Sequence, residues 1–179
     1  MNATTDRTQI VTFRVGDDLF AADVHSVERV LRYVKPRAIP NVPAWIEGVI
    51  DYRGRVVPVI DLRQRFELAE GESGTATRIL VLAVGSEWVG AVVDAVFEVA
   101  SVALGDVAPP PTLFRGLAGE YLRGVVRRDG QLVVLLDVAR VLSTNDRLAL
   151  ERATDAAAGD APAAEEAEGE GVARGVAGE

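Results

Sequence analysis

Short apolar runs separated by polar turns dominate the first 145 residues of the chain. Residues 10–15 (IVTFRV) and 19–22 (LFAA) flank a polar turn, and residues 48–50 (GVI) and 56–60 (VVPVI) flank the turn DYRG. Turn residues between two runs of this kind are typical of a β-hairpin. We therefore predict two hairpins. Because VVPVI is apolar at every position, its strand should be buried on both faces or lie at a seam between barrels.

The same pattern occurs twice along the chain. Two pairs of segments repeat in the same order: residues 15–30 with 84–99, and residues 48–66 with 124–142. The first pair shares six identities in sixteen positions and the second shares five in nineteen, where chance would give about one per segment. We predict two similar halves, residues 8–70 and 77–145, and leave open whether they interleave.

Many short strands joined by polar turns and built twice indicate two small β-barrels. The second copy of the later hairpin turns at Asp129-Gly130, a pair that favours two-residue turns because both residues tolerate positive φ. The first copy has Arg53-Gly54 at that place. The predicted fold class is therefore all-β with a few short helices.

One segment of the first half does not alternate like a strand. Val24, Val27, Val30 and Leu31 recur at helical spacing, which predicts a short amphipathic helix. The counterpart in the second half, residues 92–100, fits either a short helix or a strand.

Charge is concentrated at the C-terminal end. The net charge is −8, and residues 151–179 account for −6 of it, which leaves −2 for residues 1–150. The end of the chain is rich in Ala, Gly and Glu and has few large apolar residues, so it cannot bury enough surface to offset its ordering entropy. We predict a disordered acidic tail at residues 146–179 and an N-terminal extension at residues 1–7.

Composition also limits the possible partners and location. No basic patch stands out, so we expect no nucleic acid to bind, and no apolar run is long enough for direct membrane insertion. The chain has no cysteine, which excludes disulfides and thiolate metal sites and favours a cytoplasmic location.

Candidate catalytic groups are few. Asp61 and Asp137 occupy equivalent places in the two halves, as the paired carboxylates of an aspartic hydrolase would. Each instead ends an apolar run and precedes a short amphipathic segment, where its carboxylate can cap a helix N-terminus. His25 is the only histidine, so no two-histidine metal site exists. We predict structural caps at both aspartates, no catalytic residue, no metal and no cofactor, with the hydrolase kept as an alternative.

Arg53 at the hairpin tip has two interpretations. A large cation beside Asp51 and Arg55 is usually solvated. Alternatively, the tip is a point of interaction, since the planar guanidinium forms bidentate, charge-assisted bonds across an interface.

The segment GVIDYRGRVVPVIDLR, residues 48–63, closely resembles the signature of the CheW-like family of chemotaxis coupling proteins. The resemblance extends over residues 8–145 and includes IPNVPAWIEGVI, WVGAVVDAVFEV and EYLRGVVRRDGQLVVLLDVARVL. It implies two five-stranded, SH3-like barrels around a shared apolar region. It further implies a non-enzymatic adaptor that links chemoreceptor tips to the histidine kinase CheA and supports array assembly and kinase control.

Site residues follow from the resemblance and from the apolar pattern. We expect receptor binding at six positions: Val27, Val30, Gly48, Arg53, Val96 and Val99. With Val24 and Leu31, these valines would form a groove for an amphipathic receptor hairpin. The kinase would dock on loops of the first barrel, near Gly54 and Arg55. Assembly with other CheW-like domains into rings, at the inner face of the membrane within receptor arrays, is implied by the family alone.

Two points remain open from the sequence. The family commonly has an acid at the position of Arg29 that can pair with the turn arginine, but here the acid is Glu28. Since neighbouring side chains point in different directions, we expect either that Arg53 awaits a partner's carboxylate or that Asp51 pairs with it. A second functional alternative is a CheW-like scaffold for a non-flagellar chemosensory or localisation system.

Overall fold

The computed structural model describes residues 6–68, 71, 73–110 and 119–159. Within these residues the chain forms ten strands and two α-helices. The strands are β1 (Arg7–Val15), β2 (Asp18–Asp23), β3 (Val27–Arg32), β4 (Ile46–Tyr52), β5 (Arg55–Asp61), β6 (Arg78–Val84), β7 (Glu87–Val93), β8 (Ala95–Ala103), β9 (Leu122–Arg128) and β10 (Gln131–Leu136). The helices are α1 (Leu62–Arg65) and α2 (Thr144–Ala158). Both predicted hairpins are confirmed, as β1–β2 and β4–β5.

The strands form two five-stranded sheets that interleave along the chain. One sheet has the order β8-β1-β2-β10-β9 and the other has the order β3-β6-β7-β5-β4. We call the first the terminal barrel and the second the middle barrel. Each contains one parallel pair, β2 with β10 and β7 with β5. Each barrel thus combines the first hairpin of one sequence copy with the last three strands of the other, and the predicted fold class is confirmed.

The shared core explains why the strands are apolar at consecutive positions. Neighbouring side chains of a strand point to opposite faces. In β5, Val59 lies inside the middle barrel while Ile60 joins an apolar cluster between the barrels. In β10, Leu135 lies inside the terminal barrel while Val134 joins that same central cluster. Both faces of these strands are therefore buried, as the run VVPVI predicts.

The helix predicted around Val27 is wrong. The chain makes only a short 3-10 turn, Val24–Ser26, and then continues as strand β3. The register of β3 against β6 shifts between Val27 and Arg29, because one extra residue is inserted as a bulge. The bulge lets Val27 and Val30 pack against the same central cluster although they are three residues apart. The three-residue spacing of Val27 and Val30, which resembles that of a helix, therefore results from a bulge in a strand.

The predicted disordered tail is wrong over residues 146–158, which belong to α2. Ser143 and Asp146 form a capping box: the Ser143 Oγ accepts from the Asp146 N–H (3.1 Å), and Asp146 Oδ2 accepts from the Ser143 N–H (2.7 Å). Leu150, Ala153 and Ala157 are buried at helical spacing. Two of these three residues are alanines, so the apolar pattern of the helix is weak in the sequence, and the polar composition led to the prediction of disorder. Residues 160–179 lie outside the described residues.

Candidate partner-binding surface

The tip of the β4–β5 hairpin holds Arg53 in an unusual backbone conformation. Arg53 and Gly54 have φ values of 51° and 73°, the left-handed pair of a tight hairpin turn. Asp51 Oδ1 accepts from the Gly54 N–H at 3.1 Å and secures this turn. For a residue with a β-carbon, the left-handed region costs about 1–2 kcal/mol. The arginine is therefore present at a cost in backbone energy that Gly or Asn would lessen.

The guanidinium of Arg53 pairs with Glu28, which neither sequence alternative anticipated. Arg53 Nη1 lies 3.4 Å from Glu28 Oε1, and the two side chains are 55% and 32% exposed. Glu28 is the residue at the bulge of β3, so the bulge compensates for the shift of the acid by one position. Because β3 and β4 are the two edge strands of the middle barrel, this ion pair joins the edges.

The terminal barrel has a matching ion pair with a different charge at its tip. Arg128 Nη2 lies 3.5 Å from Glu98 Oε1 and joins the edge strands β9 and β8. In the duplication, both partners are displaced by one position relative to the Arg53–Glu28 pair. Asp129, with φ of 48°, then occupies the place of Arg53 at the tip. Both barrels are joined at their edges, but the left-handed turn residue of this hairpin is a cation in the middle barrel and an acid in the terminal barrel.

The predicted apolar positions divide into two kinds. Val27, Val30 and Val96 are half-buried against the central cluster, and Val99 on the edge strand β8 is 56% exposed. Leu31 is only 2% exposed and lies inside the middle barrel, so it cannot be part of a receptor groove.

Gly48 is buried and supports the fold from within. Its φ is +150°, and an added β-carbon would lie 2.1 Å from the carbonyl oxygen of Arg37. The backbone of Arg37 exchanges two hydrogen bonds with Val49, at 2.9 and 3.0 Å. Gly124 has the same role beside Ala108 in the other copy, where the distance is 2.6 Å. Any influence of Gly48 on receptor binding therefore acts through the position of β4.

The two residues expected to contact the kinase are exposed at the same end of the middle barrel. Gly54 has open space around it. The Arg55 guanidinium lies 4.4 Å from the centre of the Trp88 ring, and its Nη2 is 3.9 Å from Glu87 Oε2. Trp88 in turn packs edge-on against Tyr52, at 5.3 Å between ring centres. The contacts of Arg55 and Tyr52 with Glu87 and Trp88 thus connect the β4–β5 hairpin to β7.

Of the two candidate catalytic aspartates, Asp61 is the predicted helix cap, whereas the prediction for Asp137 is wrong because a turn and no helix follows it. Asp61 Oδ1 accepts from the Arg63 N–H at 2.8 Å and is the N-cap of α1. Asp137 Oδ1 accepts from the Ala139 N–H at 3.1 Å, at a turn. A small cavity of about 50 Å³ is lined by Asp61 but not by Asp137. Among the described residues, no three His, Asp or Glu side chains are grouped closely enough to hold a metal ion.

Glu47, beside this cavity, makes stability depend on pH. Burial, then repulsion from Asp61, raises the pKa of Glu47 above its ordinary value of 4.5, although a hydrogen bond from Tyr33 (3.2 Å) opposes the shift. A raised carboxyl pKa means that the folded state binds the proton more tightly than the unfolded state. Stability therefore falls as pH rises from 4.5 through the folded-state pKa.

We expect Glu47→Gln to raise the free energy of unfolding near neutral pH, because the amide keeps an acceptor for Tyr33 and carries no charge. The gain should vanish at about pH 4, where glutamate is largely protonated. Urea unfolding at both pH values measures it, with the exposed Glu87→Gln as control. A gain of equal size at both pH values would contradict the electrostatic origin.

Together these features define a protein of two β-barrels around one core, with a cationic hairpin turn on one barrel and partly exposed valines on an edge strand of each. A family model described as "CheW-like domain" matches residues 9–146. The chain belongs to the CheW-like family of chemotaxis scaffold proteins.

Individual relatives agree with this membership. The chain is 31% identical over 150 residues to the chemotaxis protein CheW of Treponema pallidum, covering 82% of this chain and 88% of that protein. It is 35% identical over 142 residues to protein FrzA of Myxococcus xanthus, covering 78% and 88%. The crystal structure of the scaffolding protein TtCheW from Thermoanaerobacter tengcongensis is similar with a TM-score of 0.73 and 28% identity, covering 79% of this chain and 96% of that one.

None of the helices that the structure describes is long and apolar enough to cross a membrane.

Proposed function

We propose that the protein is a non-enzymatic adaptor that links chemoreceptor tips to the histidine kinase CheA and supports receptor arrays at the inner face of the membrane. The observation that carries the proposal is Arg53, an exposed arginine held at the end of a hairpin in a left-handed conformation. Backbone strain that the fold could avoid is commonly retained where a residue has a function. Family membership supports the same role.

The ion pair of Arg53 suits a residue that exchanges partners. An exposed pair contributes about 0–1 kcal/mol, so Glu28 can be replaced by a carboxylate of the receptor at little cost. In the free protein, Glu28 already restricts the Arg53 side chain, so less side-chain entropy is lost when the receptor binds. The planar fork of arginine then allows a bidentate bond with the receptor.

Apolar contacts would supply most of the receptor affinity. Val99 is exposed, and Val27, Val30 and Val96 are half-buried. Completing the burial of such side chains contributes at most about 1.5–3 kcal/mol each, before ordering and desolvation are subtracted. An amphipathic helical hairpin with apolar residues at helical spacing is the partner that fits this role.

The kinase would bind at Gly54 and Arg55, the residues following the receptor-contacting arginine. Both are exposed, and Arg55 is already oriented by Trp88. This arrangement would place receptor and kinase contacts on adjacent parts of the middle barrel. Occupation of one could therefore influence the other through the short hairpin turn.

We expect Arg53→Glu to lower the amount of protein that co-sediments with receptor membranes at least tenfold, or about 1.4 kcal/mol. The substitution repels a receptor carboxylate and also repels Glu28. The measurement is sedimentation of the purified chain with receptor membranes and the kinase regulatory domain, each alone and together. Arg127→Glu, an exposed charge reversal at the other hairpin tip, is the matched control and should sediment normally.

Arg53→Asn separates binding from folding. Asparagine tolerates the left-handed turn, so this variant should be about 1 kcal/mol more stable than the unaltered chain and should still bind receptor poorly. Normal co-sedimentation of folded Arg53→Glu and Arg53→Asn would exclude the hairpin tip from receptor contact. If the control Arg127→Glu also failed to co-sediment with receptor and kinase, the loss would be a nonspecific effect of charge.

A further inference from the structure

A groove of about 440 Å³ lies between α2 and the middle barrel, separate from the Arg53 tip. Its barrel side comes from β5, the end of β6, β7 and the turn between β6 and β7, and its other side comes from α2 and the residue Leu142. Apolar side chains make up much of the lining: Val56, Pro58, Trp88, Val89, Leu142 and Leu150. Since Val89, Leu142 and Leu150 are themselves largely buried, the groove has a mixed apolar and polar lining beside a helix.

Carboxylates outnumber cations around the apolar side chains of this groove. Glu151 and Asp155 are exposed on α2 and have no ion-pair partner among the described residues. Glu87, from the barrel side, has only the distant Arg55 at 3.9 Å. Arg147 also lines the groove, where its Nη2 donates to the carbonyl of Ala139 at 3.2 Å, and its charge offsets one of these three carboxylates. The edge of the groove therefore has an excess of negative charge.

The helical wall of the groove is fixed before any partner arrives. The capping box secures the start of α2, and Arg65 bonds to Asp146 Oδ2 at 2.7 Å. The buried residues Leu150, Ala153 and Ala157 hold the helix against the body of the protein. A preformed cleft loses little conformational entropy on binding.

We propose that this groove binds a segment of another protein that carries large apolar side chains flanked by lysine or arginine. The apolar lining would accept the former, and the carboxylates of Glu87, Glu151 and Asp155 would attract the latter. The acidic segment 160–179 of the chain itself, with six acids and one arginine, has the wrong charge for this cleft. The groove does not include Arg53, although Glu87 and Trp88 in its lining also contact Arg55, where the kinase is expected to bind.

The test measures binding of a labelled peptide by fluorescence anisotropy, using the full chain. The probe repeats Lys-Leu-Lys-Lys-Leu, and its charge-reversed counterpart repeats Glu-Leu-Glu-Glu-Leu. We expect the lysine peptide to bind and to shift the indole N–H resonance of Trp88, which lines the groove. The glutamate peptide should bind at least tenfold more weakly, and added salt should lower the affinity for the lysine peptide.

Substitutions then locate the binding. The double substitution Glu151→Lys/Asp155→Lys should lower the affinity for the lysine peptide about tenfold or more. The same change at two exposed carboxylates outside the groove, Asp106→Lys with Glu120→Lys, should leave its affinity unchanged. Thr154→Trp, which fills the groove without altering charge, should also reduce binding. Circular dichroism of each variant checks folding.

Three results would overturn the proposal. The first is no binding of the lysine peptide, or equal binding of both peptides. The second is unchanged affinity in folded Glu151→Lys/Asp155→Lys and Thr154→Trp. The third is self-association of the chain in sedimentation that is lost in the variants, which would assign the groove to a second copy. Arg53→Glu should bind the peptide normally, which distinguishes this site from the receptor site.

Discussion

Replacing Arg65 by methionine is expected to lower the free energy of unfolding by about 3 kcal/mol, near the lower end of values for breaking a buried ion pair. Arg65 and Asp146 have side chains that are only 14% and 16% exposed, and Arg65 Nη2 lies 2.7 Å from Asp146 Oδ2. Methionine retains much of the apolar stem but has no group to meet the carboxylate. The loss should therefore exceed that of an exposed salt bridge.

Arg65 joins three segments that are distant in the chain. Its Nη2 also donates to the Tyr121 hydroxyl at 2.8 Å, and the guanidinium stacks near the rings of Tyr121 and Trp45, at 4.8 and 5.1 Å. It thus links α1 with the residue before β9 and with α2. Two features limit the expected loss of stability on replacing Arg65. Asp146 keeps its capping bond to Ser143. In addition, Arg65 Nε is buried without a partner, so the substitution also removes an unsatisfied donor.

Urea unfolding measures this loss, and hydrogen exchange of the α2 amides shows whether the helix detaches first. Arg152→Met, an exposed change on the same helix, is the matched control and should alter stability by less than about 0.5 kcal/mol. Combining Arg65→Met with Asp146→Asn should give a smaller loss than the sum of the two single changes. Additive losses, or a loss below about 1 kcal/mol, would show that the pair is not coupled.

Local patterns were sufficient to predict much of this molecule. The apolar runs around GDD and DYRG predicted the hairpins, since turn residues between strands act locally. The repeated segments predicted two similar halves, and consecutive apolar residues predicted strands buried on both faces. Arg53 stood out because the duplicated turn has Asp129 in its place. These features depend on neighbours in the chain, so they can be read from the sequence.

Features that depend on distant pairing could not be predicted in the same way. Nothing local tells β1 to pair with β8, so the exchange of hairpins between the sequence copies stayed open. The bulge at Glu28 gave β3 a helical spacing and also turned the acid toward Arg53. A usable signal existed: Glu28 and Glu98 differ by one position in the repeat, as do their arginine partners. The acid lies one position later and the arginine one position earlier in the second copy, and these opposite shifts keep the two side chains close enough to pair.

Substituting Gly48 by alanine should cost about 3–5 kcal/mol, a sum of backbone strain and overpacking, and it should leave the chain poorly folded. A β-carbon there would lie 2.1 Å from the Arg37 carbonyl oxygen, a backbone atom that cannot rotate away. Relief of this clash requires separating the bridge between Arg37 and Val49, so its two hydrogen bonds are also lost. With a total stability of about 5–15 kcal/mol for an ordinary domain, such a loss is severe.

Thermal and urea unfolding of Gly48→Ala measure the effect. Gly124→Ala should behave similarly, because its β-carbon would lie 2.6 Å from the Ala108 oxygen, whereas Gly74→Ala has open space and should be nearly neutral. A stable Gly48→Ala protein that lost receptor binding would restore Gly48 as a direct contact. Loss of binding in parallel with unfolding would instead mean that Gly48 acts by placing β4, and with it the turn that presents Arg53.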